Sequence, residues 1–256
     1  MKRIRKSKKE PKILREYRQL HPNATWEAFH QHRHNGYKEV KERIIQDQHG
    51  LCAYCETTLM RAMVEGQVDD FRVEHFYPKV GTQNNGHNYH LDWHNLLGVC
   101  HGGSQPDVPN ALRRFSQKPI DRSCDVLKGS KDLSKVILNP LEIPMARLWC
   151  FSEYDGTMYV DSRSCPEELQ DKAERTIEEL NLNAPRLCHM RKEVIEKISA
   201  ELADLVADGM GIEEATETLA VAFLAPDEKG YCLPYFSTIR WYLGEGAERL
   251  LANIKV

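Results

Sequence analysis

Apolar residues recur at helical steps near both ends of the chain and in short runs through its middle. Ile13, Leu14, Tyr17 and Leu20 share one helical face behind Pro11. After a turn at His21-Pro22, with Thr25 or Asn23 as N-cap, Trp26 and Phe29 begin a helical pattern. Tyr37, Val40, Ile44 and Ile45 continue it to a stop at Gly50. Residues 51–79 read as a tight knuckle and two short strands, Thr57–Leu59 and Phe71–Val73, joined through Glu65-Gly66 and Asp69-Asp70. Residues 80–90, rich in Gly and Asn, read as a loop, and Leu91–Val99 as a short helix. Residues 101–123 read as an inserted loop. Leu148–Tyr154 and Thr157–Asp161 flank Asp155-Gly156, a strong hairpin signal. From Pro166 onward the pattern is helical, with stripes through Leu169, Ala173, Ile177 and Leu180, then Leu187, Met190, Val194 and Ile198. Gly209 ends the second stripe, and two more helices follow over 212–224 and 234–251. The expectation is an α+β chain in three parts: a basic helical arm over 1–49, a chemistry-bearing segment over 50–140, and a hairpin with a helical region over 141–256.

Charge sharpens that division. The net charge is −3, but residues 1–131 hold 22 Lys/Arg against 15 Asp/Glu, and the remainder holds 13 against 23. A basic front half fits a polyanion such as nucleic acid, whereas like charge keeps the acidic helical half off it and leaves that half for a protein partner. No run approaches the roughly 20 apolar residues that span a bilayer, so no membrane role is expected. The basic start lacks the apolar stretch of a secretory signal, so a cytoplasmic location is expected.

Eight cysteines in a chain read as unexported point to metal rather than disulfides. Cys52-Ala-Tyr-Cys55 has the spacing of a zinc knuckle. The second pair is split: Cys100 has no cysteine close behind it, which leaves Cys124 or the adjacent His101 as fourth ligand, with Cys124 preferred. Cys150, Cys165, Cys188 and Cys232 lie in no ligand spacing. On a helix His32 points away from His30 and His34, and the three read as surface residues.

Between the cysteines lie groups suited to phosphodiester hydrolysis. His75 can accept a proton from water near neutral pH. Glu74 and Asp125 offer oxygens to a hard cation such as Mg²⁺ or Mn²⁺. Asn95 can orient His75 or its loop. Lys79, Arg113, Arg114, Arg122 and Lys128 are candidate contacts to nucleic-acid phosphates.

The order Cys52-x2-Cys55, Glu74-His75-x2-Pro78, Asn95-Leu-Leu, Cys100, Cys124-Asp125-x2-Lys128-Gly129 resembles the HNH (ββα-metal) nucleases with a zinc-bound frame. Asp92-Trp-His-Asn-Leu-Leu97, Leu180-Asn-Leu-Asn183 and the basic start running into Trp26 extend the likeness to the HNH subunit of Septu-type and retron-associated anti-phage systems. The resemblance implies a ββα-metal core with structural Zn²⁺, His75 as general base and Glu74 as ligand of a catalytic Mg²⁺ or Mn²⁺. It also implies a companion ATPase of the ABC/SMC type; the expected substrate is nucleic acid, DNA ahead of RNA. Glu74 stands where Asp is commoner, and Asp125 where His or Asn is usual.

Overall fold

The computed structural model describes residues 1–79 and 87–254, so residues 80–86 of the expected 80–90 loop lie outside the described residues. Helix α1, Lys12–Leu20, starts behind Pro11, and α2, Trp26–His32, is capped by Thr25, whose side chain accepts from Ala28 N–H. The single helix expected after Thr25 is in fact two, because Arg33 (φ −134°, ψ 55°) breaks it before α3, His34–Asp47. On one straight helix Trp26 and Tyr37 would stand about 16 Å apart. The break brings their rings to 5.5 Å and lets Phe29 reach Tyr17 of α1 at 5.2 Å.

Strand β1, Arg72–His75, pairs antiparallel with β2, Leu96–Val99, placing Glu74 opposite Leu97 and His75 opposite Leu96. The expected helix over 91–99 is therefore a 3-10 turn at Trp93–Asn95 leading into a strand. All four β2 residues are buried, and a short apolar run covered on both faces carries no period that separates strand from helix. Thr57–Leu59 is not a sheet strand; only isolated bridges join Leu51 to Thr58 and Met60 to Asp70. Helix α3 lies against β2 at Gly98, where an added Cβ would meet Ile44 and Phe71 at 2.8 Å. The Gln48 amide clamps that point, accepting from Gly98 N–H at 2.7 Å and donating to Gly98 O and Leu51 O at 2.8 Å.

The inserted segment carries α4, Ala111–Arg114, and a 3-10 turn at Pro119–Asp121 before α5, Asp125–Lys128. Strands β3, Trp149–Phe151, and β4, Met158–Val160, form the expected hairpin. Helices α6 (Glu167–Glu179), α7 (Pro185–Ala207), α8 (Ile212–Leu224) and α9 (Phe236–Asn253) follow. Gly156, at φ +75°, lets the hairpin turn close on α7, since a Cβ there would stand 2.1 Å from Cys188 O.

One cluster of buried residues runs from Leu14, Phe29 and Ile44 through Tyr54, Phe76 and Leu97 to Trp149, Leu187 and Tyr235. A second joins Ile198, Leu219, Phe223, Ile239 and Leu243 of the last three helices. The Leu180–Asn183 segment ties hairpin and insertion together. Asn181 Nδ2 donates to Ile120 O and Arg122 O, and Asn183 brackets Met158 through its N–H and carbonyl. Among the described residues, no helix is long and apolar enough to cross a membrane.

Candidate metal centre and active site

The two halves of the cysteine frame are built by backbone that few residues tolerate. Cys52 and Cys55 flank a turn closed by Glu56 at φ +61°, and Cys100 precedes Gly102 and Gly103 at φ +55° and +85°. Cys124 itself adopts φ +60°, ψ −140°, a costly conformation for a residue with a Cβ. Its N–H is held by Leu180 O at 2.8 Å. These turns bring the sulfurs of Cys52, Cys55, Cys100 and Cys124 to within 4.8 Å of one another, all four residues buried. Cys55 and Cys100 Sγ stand 3.6 Å apart, Cys100 and Cys124 Sγ 3.9 Å. Four thiolates at about 2.3 Å from a tetrahedral Zn²⁺ would be separated by about 3.8 Å, so the donor set fits that ion. His101 turns away, its Nε2 bonded to Asp69 O at 3.1 Å.

Beside the frame, His75 ends β1 with its ring against Trp26. Its Nε2 lies 3.0 Å from His90 O. A carbonyl only accepts, so the proton sits on Nε2 and the lone pair on Nδ1. Burial pushes the imidazole down to about 3, keeping it neutral. Asn95 does not touch the ring. Its side chain accepts from Tyr77 N–H at 2.7 Å and donates to Tyr77 O and Tyr89 O at 2.9 Å, locking the loops on either side of His75.

Glu74 and Asp125 are each met by a cation. Lys128 Nζ lies 2.7 Å from Glu74 Oε1 and donates to His75 O at 3.0 Å, while Arg72 Nε lies 2.7 Å from Asp125 Oδ2. Burial raises the pKa of both carboxylates; Lys128 and Arg72 oppose that rise, and Asp125 adds to it at Glu74. Among the described residues, Asp125 Oδ1 is buried without a hydrogen-bond partner. Sequence reasoning missed Arg72, although strand alternation puts it on the same face as Glu74, and it missed His90, whose part is played by a carbonyl.

Two of the candidate phosphate contacts are corrected. Lys128 is only 1% exposed and Arg114 is bonded to Asp70 Oδ2 at 2.5 Å and to Thr58 O at 2.7 Å, so neither faces a ligand. Each is a counter-charge to an interior carboxylate, which charge counting along a sequence does not reveal. Lys79 pairs with Glu27 of α2, Arg113 with Glu193 of α7, and Arg122 lies over the Phe115 ring at 5.7 Å.

Comparison with known proteins gives this arrangement a family. The chain is 35% identical to the "Retron Ec83 putative HNH endonuclease" of Escherichia coli over an alignment of 216 residues, which covers 76% of this chain and 79% of that protein. The chain belongs to the HNH endonuclease family. No profile of a known protein family matches it. Within this HNH chain the described geometry provides a buried four-cysteine cluster and two carboxylates paired with Lys128 and Arg72, with a neutral imidazole of defined tautomer next to Glu74 in β1. The four cysteines offer a donor set for one soft ion, the carboxylates offer oxygens, and the imidazole offers a lone pair on Nδ1.

Proposed function

We propose that the chain is a metal-dependent endonuclease that hydrolyses phosphodiester bonds, with His75 as general base, in a ββα-metal core formed by β1, β2 and α5. The observation that carries this reading is the Nε2–H bond from His75 to His90 O, which leaves Nδ1 as a fixed proton acceptor. A water placed before Nδ1 loses its proton to the imidazole as its oxygen attacks phosphorus, the P–O bond to the leaving nucleotide oxygen breaks, and that oxygen takes a proton from solvent. Asn95 keeps the loops around His75 in place, so the ring does not reorient during that transfer. Glu74 and Asp125 would hold a Mg²⁺ or Mn²⁺, with Asp125 Oδ1, without a hydrogen-bond partner among the described residues, as an available ligand. When bound, that cation would supply charge stabilisation to the phosphate and the leaving oxygen. The four cysteines would hold a structural Zn²⁺, which would tie together the turns that carry them.

DNA is the proposed substrate, supported by the basic balance of residues 1–131 and by the resemblance to HNH effectors of anti-phage systems. The same resemblance, and the retron named for the relative, support a role in phage defence. Partnership with an ABC/SMC-type ATPase is supported by the acidic helical half, which offers α6–α8 to a protein rather than to nucleic acid. A non-catalytic zinc module is the second reading, favoured by one observation: both carboxylates already carry an internal cation.

One experiment separates the readings. Purified chain, alone and with its ATPase, is incubated with supercoiled plasmid and Mg²⁺ or Mn²⁺. Wild type is expected to nick the plasmid, and His75→Ala to do so about 10²–10⁴-fold more slowly with unchanged zinc content. Equal cleavage by the variant removes His75 as base; binding without nicking by wild type leaves the non-catalytic reading.

A further inference from the structure

Each sulfur of the cysteine cluster meets one backbone N–H or side-chain hydroxyl. Cys52 Sγ faces Cys100 N–H and Cys100 Sγ faces Gly102 N–H, both at 3.4 Å. The other two face hydroxyls: Thr57 Oγ1 lies 3.2 Å from Cys55 Sγ, and Ser123 Oγ lies 3.6 Å from Cys124 Sγ. Behind each hydroxyl stands an arginine. Arg114 Nη2 donates to Thr57 Oγ1 at 3.3 Å, and Arg186 Nη2 donates to Ser123 Oγ.

The direction of these bonds follows from chemistry. A guanidinium has no acceptor and a metal-bound thiolate has no proton. A hydroxyl between them must therefore accept from arginine and donate to sulfur. The same relay is built twice, from different elements: Arg114 ends α4, and Arg186 is the second residue of α7. Both guanidinium groups are fixed by other bonds, Arg114 to Asp70 and Thr58 O, and Arg186 Nε to Asp121 O at 3.0 Å. Close packing adds to this, since a Cβ on Gly103 would stand 2.7 Å from Arg186 Nε.

We infer that Arg114 and Arg186 are positioning residues of the metal centre, each polarising one hydroxyl so that Thr57 and Ser123 draw electron density from the Cys55 and Cys124 thiolates. Four thiolates on one dication leave a net charge of −2 in a buried pocket, which makes the sulfurs open to oxidants and protons. Two charge-backed hydroxyl donors lower that reactivity and slow metal loss, as outer-shell partners do at other metal sites. The inference rests on the proposed zinc occupancy of the cluster.

Zinc content is measured first. A wild-type chain without zinc defeats the occupancy itself; one zinc per chain opens the test. Thr57→Val, Thr57→Ser and Ser123→Ala delete or keep single hydroxyls and disturb packing far less than removal of either arginine. Zinc release to a chromogenic chelator under dilute hydrogen peroxide is expected to accelerate about tenfold or more in Thr57→Val and Ser123→Ala, and to stay near wild type in Thr57→Ser. In the cobalt-substituted proteins, the thiolate-to-metal charge-transfer band is expected to move to longer wavelength in the first two only. Wild-type release rates overturn the inference. So does faster release with an unmoved band, which assigns the hydroxyls a packing role alone.

Discussion

Lys128 carries its charge into the interior because two acceptors wait there, Glu74 Oε1 and His75 O. Lys128→Met keeps the length of the side chain but leaves the Glu74 carboxylate buried without its cation. Breaking a buried pair in this way costs about 3–5 kcal/mol, so urea unfolding is expected to shift to clearly lower denaturant. Unchanged unfolding together with weaker, less salt-dependent DNA binding would instead return Lys128 to a phosphate-contact role. The contrast marks where residue-level reading of a sequence stops. Cys52 and Cys55 are legible because thiol spacing belongs to the residues themselves. Lys128 and Arg114 are misread because a charge is visible in the sequence while its burial is not. Thr57 and Ser123 leave only a faint local trace, two residues after Cys55 and one before Cys124.

Among the elements, the second knuckle depends on a close approach. Gly102 combines φ +55° with a position where a Cβ would stand 2.1 Å from Ser123 O. Gly102→Ala is therefore expected to separate Cys100 from Cys124 and to yield protein with little bound zinc by metal analysis. The hairpin offers a pH-dependent counterpart. Burial tends to raise the Asp161 pKa, but the Arg147 guanidinium at 3.0 Å and the Arg163 N–H at 3.2 Å hold it below the usual carboxylate range. A depressed folded-state pKa stabilises the fold above the unfolded value of about 3.9 and loses that contribution as pH falls through the folded value. Asp161→Asn is thus expected to lower the urea midpoint at pH 7, and the gap to wild type to narrow below about pH 4. The hairpin was legible from Asp155-Gly156 and the C-terminal helices from their stripes. Strand β2 was not, because Leu96–Val99 is covered on both faces and its partner β1 lies beyond a loop.

At the scale of the molecule, the candidate centre is not a module closed within 50–140. Cys124 N–H is held by Leu180 O, Glu56 O accepts from Tyr235 N–H, and Ser123 is held by Arg186. This reach was hidden in the sequence, where only a resemblance marks Leu180-Asn-Leu-Asn183. Synthesis runs from the N-terminus, so the spread of these contacts sets an order of events in time. Three thiols emerge first, the fourth follows 24 residues after Cys100, and the carbonyl that fixes it comes 56 residues later still. A chain under translation therefore holds an unfinished cysteine cluster until most of the protein is made. Ribosome-bound chains ending near residue 150 are expected to leave Cys52 and Cys55 open to thiol alkylation in the presence of a chelator. Chains with residues 1–254 clear of the ribosome should protect both, and equal protection in the two would show that the centre closes early.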